Sequence, residues 1–167
     1  SCRNYYLPYI EQHTSLKFGR KCRVMEVGCG FGGILSIFAA KGATVTGIDI
    51  HKPSIETAKT LFAERGLKGT FICSDIFDYS DTQPYDLIIL HDALEHIPEK
   101  ERLMLHLKSF LKADGLLYLG FPAWQMPFGG HQQMAKNRII ANCPYIHLLP
   151  RSLFRFVFRA CGEKEST

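Results

Sequence analysis

Apolar and polar positions follow two alternating periods between residues 22 and 122. Short apolar runs of strand length alternate with segments in which apolar residues recur every three or four positions, as in helices. The predicted strands are 22–28, 44–50, 69–75, 85–92 and 116–122, and the predicted helices are 32–42, 52–66 and 98–112. Strands separated by helices of this length predict an α/β fold, with a mostly parallel, doubly wound sheet covered by helices on both faces.

The two flanks of this region have a different pattern. Residues 1–20 are rich in aromatic side chains and are predicted to be helical. Residues 123–167 lose the alternation and contain Pro, Gly, His and aromatic residues, followed by a helix-like run at 152–160. We therefore predict one domain over 1–167, with a core at 20–122 and a loop and C-terminal helix at 123–167.

The composition of the chain favours some classes of protein over others. The chain has 167 residues, of which 46% are hydrophobic, and a net charge of +4. No apolar run reaches the roughly 18 residues that a membrane helix needs. The start shows no signal-peptide pattern, and the six cysteines form no C-x-x-C, which favours reduced thiols and a cytoplasmic location.

A glycine-rich turn follows the first predicted strand in "VMEVGCGFGG", residues 24–33. Gly28, Gly30 and Gly33 satisfy G-x-G-x-x-G, which is typical of dinucleotide sites and also fits other adenosyl ligands. Cys29 is expected to contribute backbone contacts alone. Glu26 lies two residues before Gly28, where a carboxylate would repel a pyrophosphate but would suit a ligand that carries an ammonium and a sulfonium.

Two further acids end the next predicted strands. Asp49, followed by Ile50, lies about 20 residues past the first glycine, where an acid accepts hydrogen bonds from ribose hydroxyls. Asp75, followed by Ile76, is suited to accept from an adenine amino group while the apolar side chain covers the ring. The fourth predicted strand ends in His91, which is a candidate for cofactor contact and for the catalytic base, or which simply fills the strand end.

With these motifs in this order, the sequence resembles the class I S-adenosylmethionine-dependent methyltransferases. The resemblance covers roughly residues 20–122 and includes "VMEVGCGFGG", Asp49, "CSDIFD", "YDLIILHDALEHIPE" and "GLLYLGFP". It implies a Rossmann-like fold, S-adenosyl-L-methionine as cofactor, and methyl transfer to an oxygen or nitrogen of a small-molecule or sugar-like acceptor. It also implies a seven-stranded sheet with a reversed final strand, and we expect this chain to stop before the last two strands.

Other side chains leave alternatives open. His131, in "PFGGHQQ", is a second candidate for the catalytic base, or a surface loop residue. Asp92, Glu95 and His96 have a spacing that can hold a divalent cation, although in many relatives such residues only cap the following helix, so no metal is assigned. The aromatic residues Trp124, Phe128 and Tyr145 fit either an acceptor wall or lid packing.

Two rival classes remain distinguishable by experiment. An NAD(P)-dependent oxidoreductase needs a hydride-site motif such as Tyr-x-x-x-Lys, which the sequence lacks. A non-catalytic module would bind S-adenosylmethionine without turnover. Nucleic acid is disfavoured as a partner because no N-P-P-Y or D-P-P-Y motif follows the fourth strand, which argues against methylation of base amino groups. Ribose methylation stays open if the cluster of Asp92, Glu95 and His96 holds a metal. The basic run from Lys136 to Arg159 favours an anionic or membrane-associated acceptor, or a helix that packs on further parts of the chain.

Overall fold

The computed structural model describes residues 6–121, residue 127 and residues 137–160. The chain divides into two compact units, Ser1–Phe121 and Pro122–Thr167. Within the described residues, no helix is both long and apolar enough to cross a membrane.

The first unit contains a five-stranded sheet. Its strands and helices, in chain order, are α1 (Tyr6–His13), β1 (Arg23–Val27), α2 (Gly33–Ala40), β2 (Thr44–Asp49), α3 (Lys52–Glu64), β3 (Thr70–Cys73), β4 (Tyr85–His91), α4 (Lys100–Ser109) and β5 (Leu111–Gly120). Single 3-10 turns, Ile76–Asp78 and Leu94–His96, follow β3 and β4. Every neighbouring pair of strands is parallel, and the strand order is β3-β2-β1-β4-β5. The predicted α/β class and doubly wound arrangement are therefore confirmed.

The central strands are apolar on both faces because each face is covered by helices. Along β4, Leu87 and Ile89 belong to one buried cluster, and Ile88 and Leu90 belong to another. The first cluster includes side chains from α1, α2 and α3, and the second includes Leu103 and other side chains from α4. Strands buried on both faces read as continuous apolar runs, which explains why the sequence pattern was clear here.

The largest difference from the predicted boundaries lies between α4 and β5. The sequence places a helix over 98–112 and a turn at Asp114, whereas α4 ends at Ser109 and β5 already begins at Leu111. The register of β4 against β5 shifts between Tyr85, which pairs with Leu111, and Leu87, which pairs with Leu116. The intervening residues form an irregular bulge. A Cβ on Gly115 would lie 2.8 Å from the Tyr85 carbonyl oxygen, so only glycine fits this close approach.

The second unit contains short helices. These are α5 (Arg138–Asn142), a 3-10 turn (Ile146–Leu148) and α6 (Arg151–Ala160). Ile140 and Ile146 are its buried apolar side chains among the described residues. The helix-like run predicted for 152–160 therefore corresponds to α6. The strands of the described ranges are the five of the first unit, and the reversed final strand of a seven-stranded sheet is not among them.

Candidate active site

Two adjacent clefts lie at the carboxyl ends of the strands. Strand order reverses between β1 and β4, and the crevice at such a reversal is where open α/β sheets bind ligands. The first cleft has a volume of about 960 Å³ and the second about 740 Å³. Gly28 and Asp92, which follow β1 and β4, line both clefts. A single elongated ligand could therefore reach both clefts across the end of β1.

The glycine loop has a backbone that only glycine adopts easily. Gly28 has φ +72°, and a Cβ there would lie 2.6 Å from the Cβ of Ala93. Gly30 also has positive φ, but a Cβ built on it would have no atom within 4 Å. Gly28 is thus required for packing within the protein, whereas the space beside Gly30 is open to a ligand.

Asp49, at the end of β2, holds this loop through hydrogen bonds. Its Oδ2 accepts from the Gly30 backbone N–H at 2.8 Å, and its Oδ1 accepts from the His51 backbone N–H at 2.8 Å. Each carboxylate oxygen has a second lone-pair direction, so the side chain can still accept from a ligand hydroxyl. The carboxylate that was predicted to bind ribose is therefore already fixed in position.

Glu26 is a buried acid in the middle of β1 that lines the first cleft. Its residue is 3% exposed, and its Oε2 has no hydrogen-bond partner. Burial raises the pKa of its carboxyl well above the usual range and the charge of Asp49 adds to this, while a hydrogen bond from the Leu35 backbone N–H opposes it. A buried carboxyl oxygen without a partner costs free energy in the ligand-free chain. A ligand cation in the first cleft would supply the missing partner.

The second cleft combines one acid with apolar walls. Asp75 accepts a hydrogen bond from the Phe77 backbone N–H at 2.9 Å and caps the 3-10 turn that follows. Ile76 is buried beneath the cleft, whereas Ile50 is 75% exposed at its edge. Exposed isoleucine beside a carboxylate is suited to cover the face of a flat heterocycle.

His91 and Asp92 lie at the end of β4 and face the first cleft. His91 Nδ1 is 3.3 Å from Asp92 Oδ2. A Cβ on Gly120 would lie 2.5 Å from His91 Cδ2, so the imidazole packs against the backbone of the neighbouring strand. Asp92 has φ +51°, which is uncommon for a residue with a side chain, and its backbone N–H donates to the Gly120 carbonyl oxygen at 2.8 Å. The fold thus fixes the position of the imidazole and holds the adjacent acid in a strained conformation.

The cation-binding alternative requires three side chains to converge. Glu95 Oε1 and His96 Nε2 are 4.0 Å apart. Within the described ranges, no group of three or more His, Cys, Asp or Glu side chains is arranged to hold a metal ion. Asp92, Glu95 and His96 are therefore not a preformed metal site in this structure.

The remaining predicted residues include a buried cysteine, a residue of the second unit and three residues without a described position. Burial, followed by the charges of Glu26 and Asp49, raises the pKa of the Cys29 thiol, which matches a structural rather than a nucleophilic cysteine. Tyr145 lies in the second unit and is 49% exposed. His131, Trp124 and Phe128 lie outside the described residues.

The sequence analysis missed three side chains that line the clefts. Phe31, inside the glycine loop, is 60% exposed and lines the first cleft. Arg102 lies over the Phe77 ring, with Cζ 4.2 Å from the ring centroid, and both line the second cleft. The position of Phe31 within the loop was a usable signal. The pairing of Arg102 with Phe77 depends on tertiary packing, so the sequence carried no signal for it.

A family model described as a methyltransferase domain matches residues 19–164. This chain belongs to the methyltransferase-domain family. The resemblance to class I S-adenosylmethionine-dependent methyltransferases is thereby confirmed, and the family is not that of the NAD(P)-dependent oxidoreductase alternative.

Individual relatives agree with this assignment. The chain is 39% identical over 119 residues to a ubiquinone biosynthesis O-methyltransferase of Actinobacillus pleuropneumoniae, an alignment that covers 67% of this chain and 50% of that protein. It is also 39% identical over 114 residues to the protein of the same name from Coxiella burnetii, with 67% and 47% of the two chains covered. The chain thus spans about half the length of the curated relatives that it matches.

A solved structure agrees at the level of the fold. Coclaurine N-methyltransferase, bound to N-methylheliamine and SAH, superposes with a TM-score of 0.61 at 23% identity and covers 70% of this chain and 35% of that one. This similarity confirms the Rossmann-like fold.

Proposed function

We propose that this chain is an S-adenosylmethionine-dependent methyltransferase that methylates an oxygen of a small-molecule acceptor. The observation that carries the proposal is the unpartnered, buried Oε2 of Glu26 in the first cleft. A carboxylate there would repel the pyrophosphate of a dinucleotide, whereas the methionine part of this cofactor carries an ammonium that can pair with it. The names of the relatives support oxygen rather than nitrogen as the methylated atom.

Different residues of the two clefts recognise different parts of the cofactor. Glu26 pairs with the ammonium in the first cleft, and Asp49 accepts from the ribose hydroxyls at the junction of the clefts. Asp75 accepts from the adenine amino group, and Ile50 and Ile76 enclose the ring. When bound, the cofactor supplies an electrophilic methyl group. The chain then has to hold an acceptor oxygen in line with that methyl group, and such alignment is worth about 7–11 kcal/mol of the barrier.

His91 is the proposed base that removes the acceptor proton. Its imidazole lines the first cleft, and its Nδ1 lies 3.3 Å from Asp92 Oδ2, so the ring is held beside an acid that would stabilise the imidazolium formed by proton transfer. General base catalysis contributes about 10²–10⁴-fold to a rate. His91→Ala is therefore expected to lower turnover by that factor, with partial rescue by added imidazole. His13→Ala, at an exposed histidine of α1, is the matched control.

Calorimetry tests the cofactor assignment. It measures binding of S-adenosylhomocysteine (SAH) and, separately, of NAD⁺ as the ligand that the alternative class predicts. Wild type should bind SAH and not NAD⁺, and Asp49→Asn should weaken SAH binding at least tenfold. Asp114→Asn changes an exposed aspartate with the same loss of charge and should leave binding unchanged. Binding of NAD⁺ in preference to SAH would contradict the proposal. Binding of SAH without turnover on any hydroxylated acceptor would favour the non-catalytic module.

The finer assignments of domain, location and acceptor belong to the same proposal. A single methyltransferase domain over the whole chain is supported by a family match that extends to residue 164. A cytoplasmic location is supported by Cys22, Cys29 and Cys73, which are free thiols in the first unit. The acceptor is proposed to be a small molecule.

A further inference from the structure

The net positive charge of the protein comes from its C-terminal part. Residues 1–121 contain 14 Lys and Arg and 14 Asp and Glu, so they carry no net charge. Residues 122–160 contain five Lys and Arg and no Asp or Glu. Such an asymmetry points to an anionic partner for this part of the chain, because a balanced surface would serve solubility equally well.

Helix α6 concentrates this charge on one stripe. Arg151, Arg155 and Arg159 are spaced four residues apart and are all exposed, so they follow one another along the same side of the helix. At about 100° per residue they span an arc of roughly 80°. The ten residues of α6 include no Asp or Glu. The stripe therefore presents three guanidinium groups in a row.

Two large apolar side chains of α6 that lie outside the arginine stripe are exposed. Phe156 is 69% exposed and Leu153 is 46% exposed. Phe156 lines an open groove together with Ser152, Arg155 and Arg159. Leaving such side chains in water forgoes their burial energy, so their exposure beside cations calls for a partner that is both apolar and anionic.

We propose that α6 binds the surface of an anionic lipid bilayer. The arginines contact lipid phosphates, and Leu153 and Phe156 enter the boundary between headgroups and acyl chains. An acidic protein surface would account for the arginine stripe alone and would leave the exposed apolar side chains unused. A basic amphipathic helix with Phe and Leu on its other side has the composition of helices that lie in the plane of the interface. The contact is peripheral, since α6 has ten residues.

Charge and apolar burial should both contribute to membrane affinity. A cationic side chain near an anionic surface strengthens binding about fivefold, so two charge reversals should weaken it by well over 25-fold. Insertion of one aromatic side chain adds on the order of tenfold. The contribution of the charges should fall as salt is added, because salt screens their attraction to the anionic surface.

Vesicle flotation of the full chain tests this. One set of vesicles contains phosphatidylcholine alone, and a second contains phosphatidylcholine and phosphatidylglycerol at about three to one. We expect the chain to float with the anionic vesicles alone. The double variant Arg151→Glu/Arg159→Glu should remove this binding, whereas Lys17→Glu/Lys108→Glu, with the same net charge and exposed lysines in the first unit, should retain it. SAH binding is measured on each variant and should be unchanged, which verifies folding.

A second pair of variants distinguishes lipid insertion from simple charge attraction. Phe156→Ser should weaken flotation about tenfold. The control Leu105→Ser, at a 72% exposed leucine of α4, should not. The proposal is wrong if wild type floats equally with neutral vesicles or with neither kind. The proposal is also wrong if two results occur together: Phe156→Ser leaves vesicle binding unchanged, and the arginine reversals abolish capture of the chain on polyglutamate. Together these results would identify an acidic polypeptide as the partner. Loss of a dimer in the arginine variant by light scattering, with no vesicle binding by wild type, would instead identify a second copy.

Discussion

Replacing Glu26 by Gln should stabilise the ligand-free chain and weaken cofactor binding. Gln has nearly the same shape and keeps an oxygen that can accept from the Leu35 backbone N–H. It removes a carboxyl that is 3% exposed and has one unpartnered oxygen. The same side chain is therefore unfavourable for folding and necessary for the proposed ion pair.

The stability change should depend on pH in a defined direction. Burial raises the pKa of Glu26 above that of the unfolded chain, so the folded state binds the proton more tightly. The contribution of this carboxyl to stability is fully present below its unfolded pKa and is lost as pH rises through its folded pKa. Gln does not titrate. The difference in unfolding free energy between Glu26→Gln and wild type should therefore be small near pH 4 and grow with pH.

Leaving a buried polar group without its partner costs about 1–3 kcal/mol, and the uncharged amide recovers part of that cost. We expect Glu26→Gln to gain about 1–2 kcal/mol at pH 8, or a few degrees in Tm at about 2–4 °C per kcal/mol. Loss of a hydrogen bond to a charged group costs about 1.5–3 kcal/mol, so SAH affinity should fall about 10- to 150-fold.

Chemical unfolding at several pH values and calorimetry with SAH are the two assays. Glu101→Gln, at an exposed position of α4, is the matched control and should change neither quantity by much. The reasoning is refuted if Glu26→Gln binds SAH as wild type does, because the ammonium is then bound elsewhere. It is equally refuted if the variant is less stable than wild type at pH 8, because the buried charge is then not a cost.

Three further substitutions test the positions of other groups. Gly28→Ala should cost about 2–4 kcal/mol of unfolding free energy, measured by urea unfolding, because its Cβ would lie 2.6 Å from the Ala93 Cβ at φ +72°. Asp49→Ala should increase hydrogen exchange at the Gly30 amide, which donates to it at 2.8 Å, by roughly tenfold or more. Asp81→Asn should lose about 1–2 kcal/mol at pH 7 and less toward pH 3. Burial opposes the lowering of the Asp81 pKa, but hydrogen bonds and a nearby arginine outweigh it, so its contribution is lost as pH falls through the folded value.

The sequence predicted the fold well because the central strands carry a strong signal. Runs such as the one over β4 are apolar at every position between Leu87 and Leu90, and such runs between helical segments have few other interpretations. The boundary of α4 was predicted less well. Leu111 suits either the last turn of a helix or the first residue of a strand, and only its pairing with Tyr85 decides between them.

The cofactor residues could be placed from sequence because they follow strands directly. Asp49 ends β2, and the position of a strand end in a parallel sheet fixes the edge at which its side chain lies. The relation between side chains on different strands was not predictable in this way. That Asp49 accepts from Gly30, or that His91 packs against Gly120, depends on how neighbouring strands are staggered. The acceptor residues lacked a motif altogether, so His131 remains a prediction.

The two ends of the sheet satisfy their polar groups to different degrees, and this difference indicates where the ligand acts. Near the amino end of the strands, the Asp81 carboxylate accepts from Arg23 at 2.8 Å and from the Tyr85 hydroxyl at 2.7 Å. At the carboxyl end, Glu26 has a buried oxygen without a partner and Asp92 has a strained backbone. Both features destabilise the folded chain when no ligand is bound. A bound ligand can supply a partner for the Glu26 oxygen and can use the side-chain position that the strained Asp92 backbone fixes. Saturation with SAH at about 100 times Kd should then raise the unfolding free energy by about 2.7 kcal/mol, and in Glu26→Gln the same concentration should raise it far less.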